Sequence, residues 1–153
     1  MKKTILIILA SALLLAAGCA ANVQKSINTE EVAKKLISSI QFSDQMSMIE
    51  GKTALKLYGL DESTVSKSDV YESTGATAEE VAVFEAKDEA SAAKVKKAAQ
   101  QRMEDQRASF TDYQPQEMEK LKSPVLVENG KYVILCVSND NSGAQKVIDS
   151  FFK

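Results

Sequence analysis

The sequence predicts an α+β domain: a mainly antiparallel sheet of about four strands, with a long helix and a C-terminal helix packed on one face of it, preceded by one or two N-terminal helices. Two observations support this fold class. Short runs of β-branched and aromatic residues occur in pairs, each pair joined by a turn signal and followed by a helical pattern. The resulting order, strand, strand, helix, strand, strand, helix, is typical of an α+β arrangement. With 153 residues the chain has room for one ordinary domain.

The first predicted elements after residue 28 are helical. Asn28, followed three residues later by Glu31, is typical of a helix N-terminus, and apolar residues then recur at helical spacing to Ile40. We therefore expect a helix over about residues 29–40. A shorter helix over residues 52–58 would end at Gly59.

A β-hairpin is predicted next. Residues 65–73 and 80–86 both have strand character, and a Thr-Gly-Ala turn signal at 74–76 lies between them. The second run, EVAVFEA, is rich in β-branched and aromatic side chains.

A long helix should follow this hairpin, from about residue 88 to 110, with Asp88 as its N-cap. Its inward stripe is predicted to consist of Ala92, Val95, Ala99, Met103 and Phe110. Pro115 is suited to the first position of a short helical turn, QEMEKL.

A second hairpin and a final helix complete the prediction. The Asn129-Gly130 pair is the strongest short-range hairpin signal, and the strand after it, residues 132–137, is apolar on both faces and therefore expected at the centre of the sheet. Asp140 or Asn141 would cap the last helix. Its inward residues are predicted to be Val147, Ile148, Phe151 and Phe152.

Composition excludes several classes of function. Lys and Arg total 19 against 21 Asp and Glu, so the chain has no basic footprint for nucleic acid. It contains no histidine, which excludes Ser–His and Cys–His catalysis within the chain and removes the commonest zinc ligand. No metal, cofactor or catalytic residue is predicted. Cys19 and Cys136 are the two cysteines, so modification of Cys19 would leave Cys136 without a disulfide partner.

The N-terminus has the pattern of an export signal. Lys2 and Lys3 precede an apolar run from Ile5 to Leu15, and small residues follow up to Gly18. This apolar run is shorter than the roughly 20 residues of a membrane-spanning helix. We therefore interpret residues 1–18 as a signal peptide.

The segment LAAGC, ending at Cys19, resembles a bacterial lipobox, although Ala16 stands where the pattern prefers leucine. The resemblance implies that Cys19 is acylated and becomes the mature N-terminus of a protein anchored in the cell membrane and exposed on its extracellular face. The predicted organisation is a signal peptide (1–18), a tether (19–28) and a single α+β domain (29–153). The alternative is a plain secretory signal cleaved near Ala17 or Ala20.

Several separated features resemble a known family when taken together. They are the segment AEEVAVF at residues 78–84, the turn NGKYV, the segment CVSND, and the residues Arg102, Gln106, Phe110, Tyr113 and Pro115. Behind a lipobox, this combination resembles the bacterial lipoproteins grouped as "domain of unknown function 4358", known mainly from Gram-positive bacteria. The resemblance implies an envelope lipoprotein on the outer side of the membrane and transfers no catalytic residue.

Arg102, Gln106 and Tyr113 are the candidate ligand-binding residues. Arg102 and Gln106 lie four apart on the long helix, on one face with Phe110, where a guanidinium would match a carboxylate or phosphate. The structural alternative is a hydrogen-bond network in which they bind freed backbone groups of the following loop. Tyr113 would present its ring to a glycan or, alternatively, anchor that loop to the core.

Two adjacent carboxylates, Glu79 and Glu80, should point to opposite faces of their strand. One of them meeting Glu72 or Asp69 across the hairpin would resemble the carboxylate pair of a glycosidase. The alternative is that they are solvated charges or partners of Lys and Arg. Cys136 is expected to be a buried, inert thiol.

The sequence thus favours a binding or accessory module of the cell envelope that is not an enzyme. Its partners would be the membrane, through the lipid, and an unidentified envelope protein or ligand. The alternatives are a carboxylate-based enzyme acting on glycans and a protein-docking scaffold. Each alternative has an observation that would favour it. The enzyme would be favoured by a cleft that contains at least three of five carboxylates: Asp69, Glu72, Glu79, Glu80 and Asp112. Ligand binding would be favoured by a pocket at Arg102, Gln106 and Tyr113, and docking by a large exposed apolar patch.

Overall fold

A computed structural model of the chain describes residues 25–153 and confirms the α+β class. Its five strands form one antiparallel sheet in the order β1-β2-β3-β5-β4. The strands are β1 (Ser47–Ile49), β2 (Val65–Glu72), β3 (Glu80–Ala86), β4 (Val125–Asn129) and β5 (Tyr132–Val137). The helices are α1 (Thr29–Ser39), α2 (Gly51–Leu57), α3 (Glu89–Tyr113), α4 (Met118–Lys122) and α5 (Asn141–Phe152), with a 3-10 turn at Pro115–Glu117.

Both predicted hairpins are confirmed. β2 pairs with β3, and β4 pairs with β5 through the Asn129-Gly130 turn, where Gly130 has φ 53°. A positive φ is the conformation that glycine adopts without the steric cost of a Cβ. The predicted central strand, β5, is buried along its whole length and pairs with β3 on one side and β4 on the other.

The helices lie on both faces of the sheet, so the expectation of a single covered face is wrong. On one face α2 and α3 pack against side chains such as Phe84 and Leu135. On the other face α1 and α5 pack against Val83 and Ile134. Successive residues of a strand point to opposite faces, so strands that are apolar at every position require a cover on each side.

The fifth strand, β1, is the other difference from the sequence-based expectation of about four strands. β1 has three residues, of which two are exposed, and it pairs only with β2 at the edge of the sheet. Such a short segment carries no alternating apolar pattern. The long helix α3 also continues to Tyr113, three residues beyond its predicted end.

The predicted helix caps are confirmed by side-chain hydrogen bonds. Asn28 accepts from the N–H groups of Glu30 and Glu31, and Asp88 accepts from that of Ser91. Asp140 accepts from Gly143 at the start of α5. These side chains satisfy N–H groups that the first turn of a helix leaves without partners.

The described part of the predicted tether, residues 25–28, lies against the domain. Ile27 is buried, its N–H donates to the Tyr132 hydroxyl at 3.3 Å, and the Lys25 Nζ donates to the Lys153 carbonyl oxygen at 2.7 Å. The predicted signal peptide and Cys19 lie outside the described residues. Within residues 25–153, none of the helices has the length and apolar character needed to cross a bilayer.

Candidate functional site

A pocket of about 360 Å³ lies between the β2–β3 connection and the C-terminal half of α3. All three candidate ligand-binding residues from the sequence line it, on the helix side: Arg102, Gln106 and Tyr113, together with Ser109 and Phe110. The connection contributes Ser73, Thr74, Gly75 and Thr77. Three carboxylates also line the pocket: Glu72, Glu79 and Glu80.

Glu80 is the buried centre of the polar network in this pocket. Its side chain is 0% exposed and accepts from the Arg102 Nε at 3.1 Å, the Arg102 Nη2 at 2.9 Å and the Gln106 Nε2 at 2.5 Å. The Tyr58 hydroxyl also donates to it. Burial raises the pKa of Tyr58 well above its usual value, and the charge of Glu80 raises it further. A buried carboxylate requires this density of donors to remain in the interior.

Glu72 lies directly opposite Glu80 in the β2–β3 register, and one arginine bridges the two. The Arg102 Nη2 lies 2.6 Å from the Glu72 Oε1 as well as 2.9 Å from the Glu80 Oε2. Burial raises the pKa of Glu72, the charge of Glu80 raises it further, and Arg102 opposes both with a smaller effect. Burial would lower the pKa of Arg102, but the charges of Glu80 and Glu72 outweigh it and raise that pKa.

The structure gives Arg102 and Gln106 partners that neither sequence-based interpretation named. Their hydrogen bonds go to the carboxylates of the sheet, where the Nε and Nη2 of Arg102 are already engaged. They do not hold the backbone of the following loop. A different arginine of α3, Arg107, binds backbone beyond that loop: its Nε and Nη2 donate to the carbonyl oxygen of Leu121 in α4 at 2.9 and 2.5 Å.

Gln106 has one further feature. Its side chain is 6% exposed, and its Oε1 is buried with no hydrogen-bond partner within residues 25–153. An unpaired buried acceptor is unfavourable by roughly 1–3 kcal/mol. Gln106, which lines the pocket, therefore carries an acceptor that no donor of the described chain satisfies.

Tyr113 forms the outer aromatic edge of the pocket. It is 65% exposed, and its ring lies 6.1 Å from that of Phe110 at a tilted angle. A tyrosine that anchors a loop to the core would be largely covered, so its position agrees better with the predicted presentation of the ring.

Glu79 has a separate set of partners. It accepts from the N–H groups of Ser43 and Asp44 at 2.9 and 3.0 Å, and the Lys120 Nζ lies 3.1 Å from it. Lys120 also pairs with Glu117 at 2.9 Å; we call Glu79, Glu117 and Lys120 the Lys120 cluster. Burial tends to raise the pKa of Glu79, but the Ser43 N–H and Lys120 together lower it below its usual value. Glu79 and Glu80 are thus partners of Lys and Arg, as one alternative predicted, but they are buried and not solvated.

The carboxylates satisfy the criterion set for the enzyme alternative, because Glu72, Glu79 and Glu80 line the same pocket. Asp69 and Asp112 do not line it. Glu79 and Glu80 are held by several donors each, whereas the Glu72 side chain is 28% exposed. Glu72 is therefore the carboxylate of this pocket that a ligand would meet most directly.

Other candidate chemistry in the domain is limited. Cys136 is buried as predicted, and burial raises the pKa of its thiol to about 12, so the reactive thiolate is scarce at neutral pH. No group of three or more His, Cys, Asp or Glu within residues 25–153 is placed to hold a metal ion. A wider depression of about 960 Å³ borders Lys25, the first described residue, and contains none of the candidate residues.

Sequence reasoning missed two residues that shape the site. Tyr58 donates to Glu80 from the end of α2, and Lys120 neutralises Glu79 from α4. They lie 22 and 41 positions from their partners, and neither interrupts a local pattern. The hydroxyl-rich turn STGAT at residues 73–77 was the available signal for the polar wall.

Comparison with known protein families identifies a match. The sequence model of a family described as Domain of unknown function (DUF4358) matches residues 38–138, which include every residue of the pocket. No curated protein and no solved structure matches the chain.

Proposed function

Because the chain belongs to the family Domain of unknown function (DUF4358), whose description assigns no activity, we propose that it is a lipid-anchored extracytoplasmic protein that binds a small ligand in the pocket beside Arg102. In this proposal the protein is a binding or accessory module of the cell envelope. The lipid on Cys19 holds it to the membrane, and the folded domain presents the pocket outside the cytoplasm.

One observation carries the binding proposal: Arg102, Gln106 and Tyr113, selected from the sequence alone, line the same pocket. The pocket lies within the range typical of small-molecule sites, and it combines an aromatic edge with a small number of polar groups. The hydrogen bonds around Glu80 hold the inner wall of the pocket in place. The side chains of this wall would therefore lose little conformational entropy when a ligand binds.

The location proposal depends on the first 25 residues of the sequence. Two acyl chains at about 0.8 kcal/mol per buried methylene would anchor the protein stably, whereas one chain would be marginal. Lys25 lies six positions after Cys19, which gives a reach of at most about 20 Å. The domain would therefore remain close to the membrane.

We expect the mature protein, purified from its host membranes, to begin at Cys19 and to carry acyl chains on that residue. Mass spectrometry of the N-terminal peptide measures this directly. Replacing Cys19 by alanine should move the protein from the membrane fraction to the soluble or uncleaved fraction, because the attachment atom is lost. A wild-type N-terminus produced by cleavage near Ala17 or Ala20, or a Cys19 thiol without acyl chains, would contradict the location proposal.

A photo-crosslinking amino acid at position 113 tests the binding proposal in intact cells. We expect irradiation to attach a ligand or partner at this position, because the Tyr113 side chain is 65% exposed at the pocket edge. The matched control is position 48, since Met48 is 52% exposed on β1 and does not line the pocket. Equal adducts at the two positions, or none at position 113, would contradict the proposal.

The carboxylate-based enzyme acting on glycans is a second candidate, favoured by Glu72, whose pKa is raised in the same pocket. The many donors on Glu79 and Glu80 weigh against it, because these carboxylates would have to give up their partners to act as a base or nucleophile. Glycan hydrolysis by the wild type that is abolished in Glu72→Gln would favour this candidate. The docking scaffold receives less support, since Met48 and Tyr113 are the only large apolar side chains classed as exposed among residues 25–153.

A further inference from the structure

We propose that the ligand of this pocket carries a primary ammonium group, which binds at Glu72 and Gln106 while its carbon skeleton lies against Tyr113. The inference rests on the proposed ligand-binding function and specifies the chemical class of the ligand. The charge of this ligand is opposite to that of the carboxylate or phosphate that the sequence suggested for Arg102.

The charge balance around the pocket is negative. Arg102 is shared by two carboxylates, Glu72 and Glu80, at 2.6 and 2.9 Å. Lys120 is likewise shared by Glu79 and Glu117, at 3.1 and 2.9 Å. Each group therefore has one negative charge more than it has positive charge. A cation entering the pocket would balance this excess, whereas an anion would be repelled by it.

Hydrogen-bonding capacity points in the same direction, because the aliphatic hydroxyls of the pocket donate to the protein itself. Ser73 donates to the Thr77 carbonyl oxygen at 2.6 Å, and Ser109 donates to that of Asp105 at 3.0 Å. Thr77 donates to Glu79 at 3.1 Å, and Thr74 donates to Asp44. What these hydroxyls can still offer to a ligand is oxygen lone pairs, which accept hydrogen bonds. The ligand should therefore be a donor.

Gln106 is an independent observation in favour of a donor. Its side chain lines the pocket and is 94% buried, since only 6% remains exposed, and its Oε1 has no partner in the described chain. The amide nitrogen of the same side chain donates to Glu80 at 2.5 Å. An ammonium group has three N–H donors and no acceptor, so it can serve Glu72 and a neutral oxygen together.

The aromatic edge is compatible with the same ligand. The exposed ring of Tyr113 and the neighbouring ring of Phe110 both line the pocket. A cation is attracted to the face of an aromatic ring, and the carbon atoms next to an ammonium group gain from contact with it. The accessible Glu72 and these rings therefore select for an amine on a short carbon skeleton.

The test is a titration of the full chain in detergent micelles. NMR signals of the Tyr113 ring and of the backbone of residues 72–77 monitor the binding. The probes are glucosamine, its uncharged counterpart N-acetylglucosamine, the diamine cadaverine, and glucose 6-phosphate as an anion. We expect the dissociation constant obtained from these signals to be at least about tenfold lower for at least one of the two amines than for N-acetylglucosamine. Glucose 6-phosphate should leave the signals unchanged.

Glu72→Gln should weaken amine binding at least about tenfold, because it removes the charge that meets the ammonium group. Glu85→Gln is the matched control, since Glu85 is 24% exposed on β3, pairs with one lysine, and does not line the pocket. Its amine affinity should equal that of the wild type. The amide spectrum of each variant shows whether the fold is retained.

Three outcomes would overturn the inference. Tighter binding of glucose 6-phosphate or N-acetylglucosamine at Tyr113 would leave the ligand-binding proposal standing and exclude the amine. Equal loss of amine affinity in Glu72→Gln and Glu85→Gln would show that the net charge of the protein, and not the position of Glu72, determines amine binding. No shift with either amine at millimolar concentration would reject this ligand class, whereas the crosslinking at position 113 decides separately whether the pocket is occupied in the cell.

Discussion

Replacing Arg102 by methionine is expected to lower the free energy of unfolding by about 3–5 kcal/mol. Arg102 supplies the positive charge that contacts Glu80, and Glu80 is 0% exposed. Without the guanidinium, a buried carboxylate would keep the hydrogen bonds of Tyr58 and Gln106 but would lose its counter-charge. Breaking a buried pair from one side has this large effect because the remaining charge has no access to water. Urea unfolding of the two proteins measures the difference.

A second substitution separates this cause from the loss of packing by the arginine side chain. In the double variant Arg102→Met and Glu80→Gln, position 80 no longer carries a buried charge, and we expect the amide oxygen of the new side chain still to accept from Tyr58 and Gln106. We expect the double variant to be more stable than Arg102→Met alone. If Arg102→Met unfolds within about 1 kcal/mol of the wild type, the pair is a surface interaction and our description of it is wrong.

The second large effect is expected for Lys120→Met, which should also lower the free energy of unfolding by about 3–5 kcal/mol. Lys120 is 5% exposed and lies 3.1 Å from Glu79 and 2.9 Å from Glu117, whose side chains are 0% and 9% exposed. Its removal leaves two buried carboxylates without a cation. Lys122→Met is the matched control: Lys122 lies in the same helix, is 71% exposed, and pairs with an exposed glutamate. Its effect should be below about 1 kcal/mol.

The Lys120 cluster also has an expected pH dependence. The pKa of Glu79 is lower in the folded protein than its usual value of 4.5. The stabilisation from this group is therefore complete above about pH 4.5 and is lost as the pH falls through the lowered pKa. A Lys120→Met variant that is as stable as Lys122→Met in urea would contradict the importance of the cluster.

Local signals in the sequence were sufficient to predict most of the fold. The helix caps could be predicted because a cap depends only on the two or three residues that follow it. Asn28, Asp88 and Asp140 are examples. The Asn129-Gly130 turn is similarly local, since it depends on the backbone freedom of a single glycine. The stripe of α3 was predicted for the same reason, and Ala92, Val95, Ala99 and Met103 are buried.

Features that depend on distant partners were not predicted. β1 exists because it pairs with β2 across the register Ser47–Glu72, and three residues carry too little pattern to indicate a strand on their own. The second covered face was missed although β5 was expected to be apolar on both sides. Only the position of α1 and α5 in space shows that a second helical layer covers Ile134 and Cys136.

The candidate site was predicted in part. The helical spacing of Arg102 and Gln106 placed them on one face, and they lie together in the pocket with Tyr113. Their partners could not be predicted, because Glu80 is 22 residues from Arg102 and the pairing depends on how α3 crosses the sheet. For that reason the ligand we propose is a cation, whereas the sequence alone suggested an anion: Arg102 is paired with Glu72 and Glu80 in the fold.

The most direct test of this account is native mass spectrometry of the protein purified from its host membranes in a mild detergent, compared with Tyr113→Ala. The exposed Tyr113 ring contributes little to the core, so the variant should fold and carry the same lipid. We expect the wild type to retain an additional non-covalent mass that the variant lacks. Masses of the wild type and the variant that are each accounted for by the respective lipidated chain alone would contradict the claim that this pocket is a binding site.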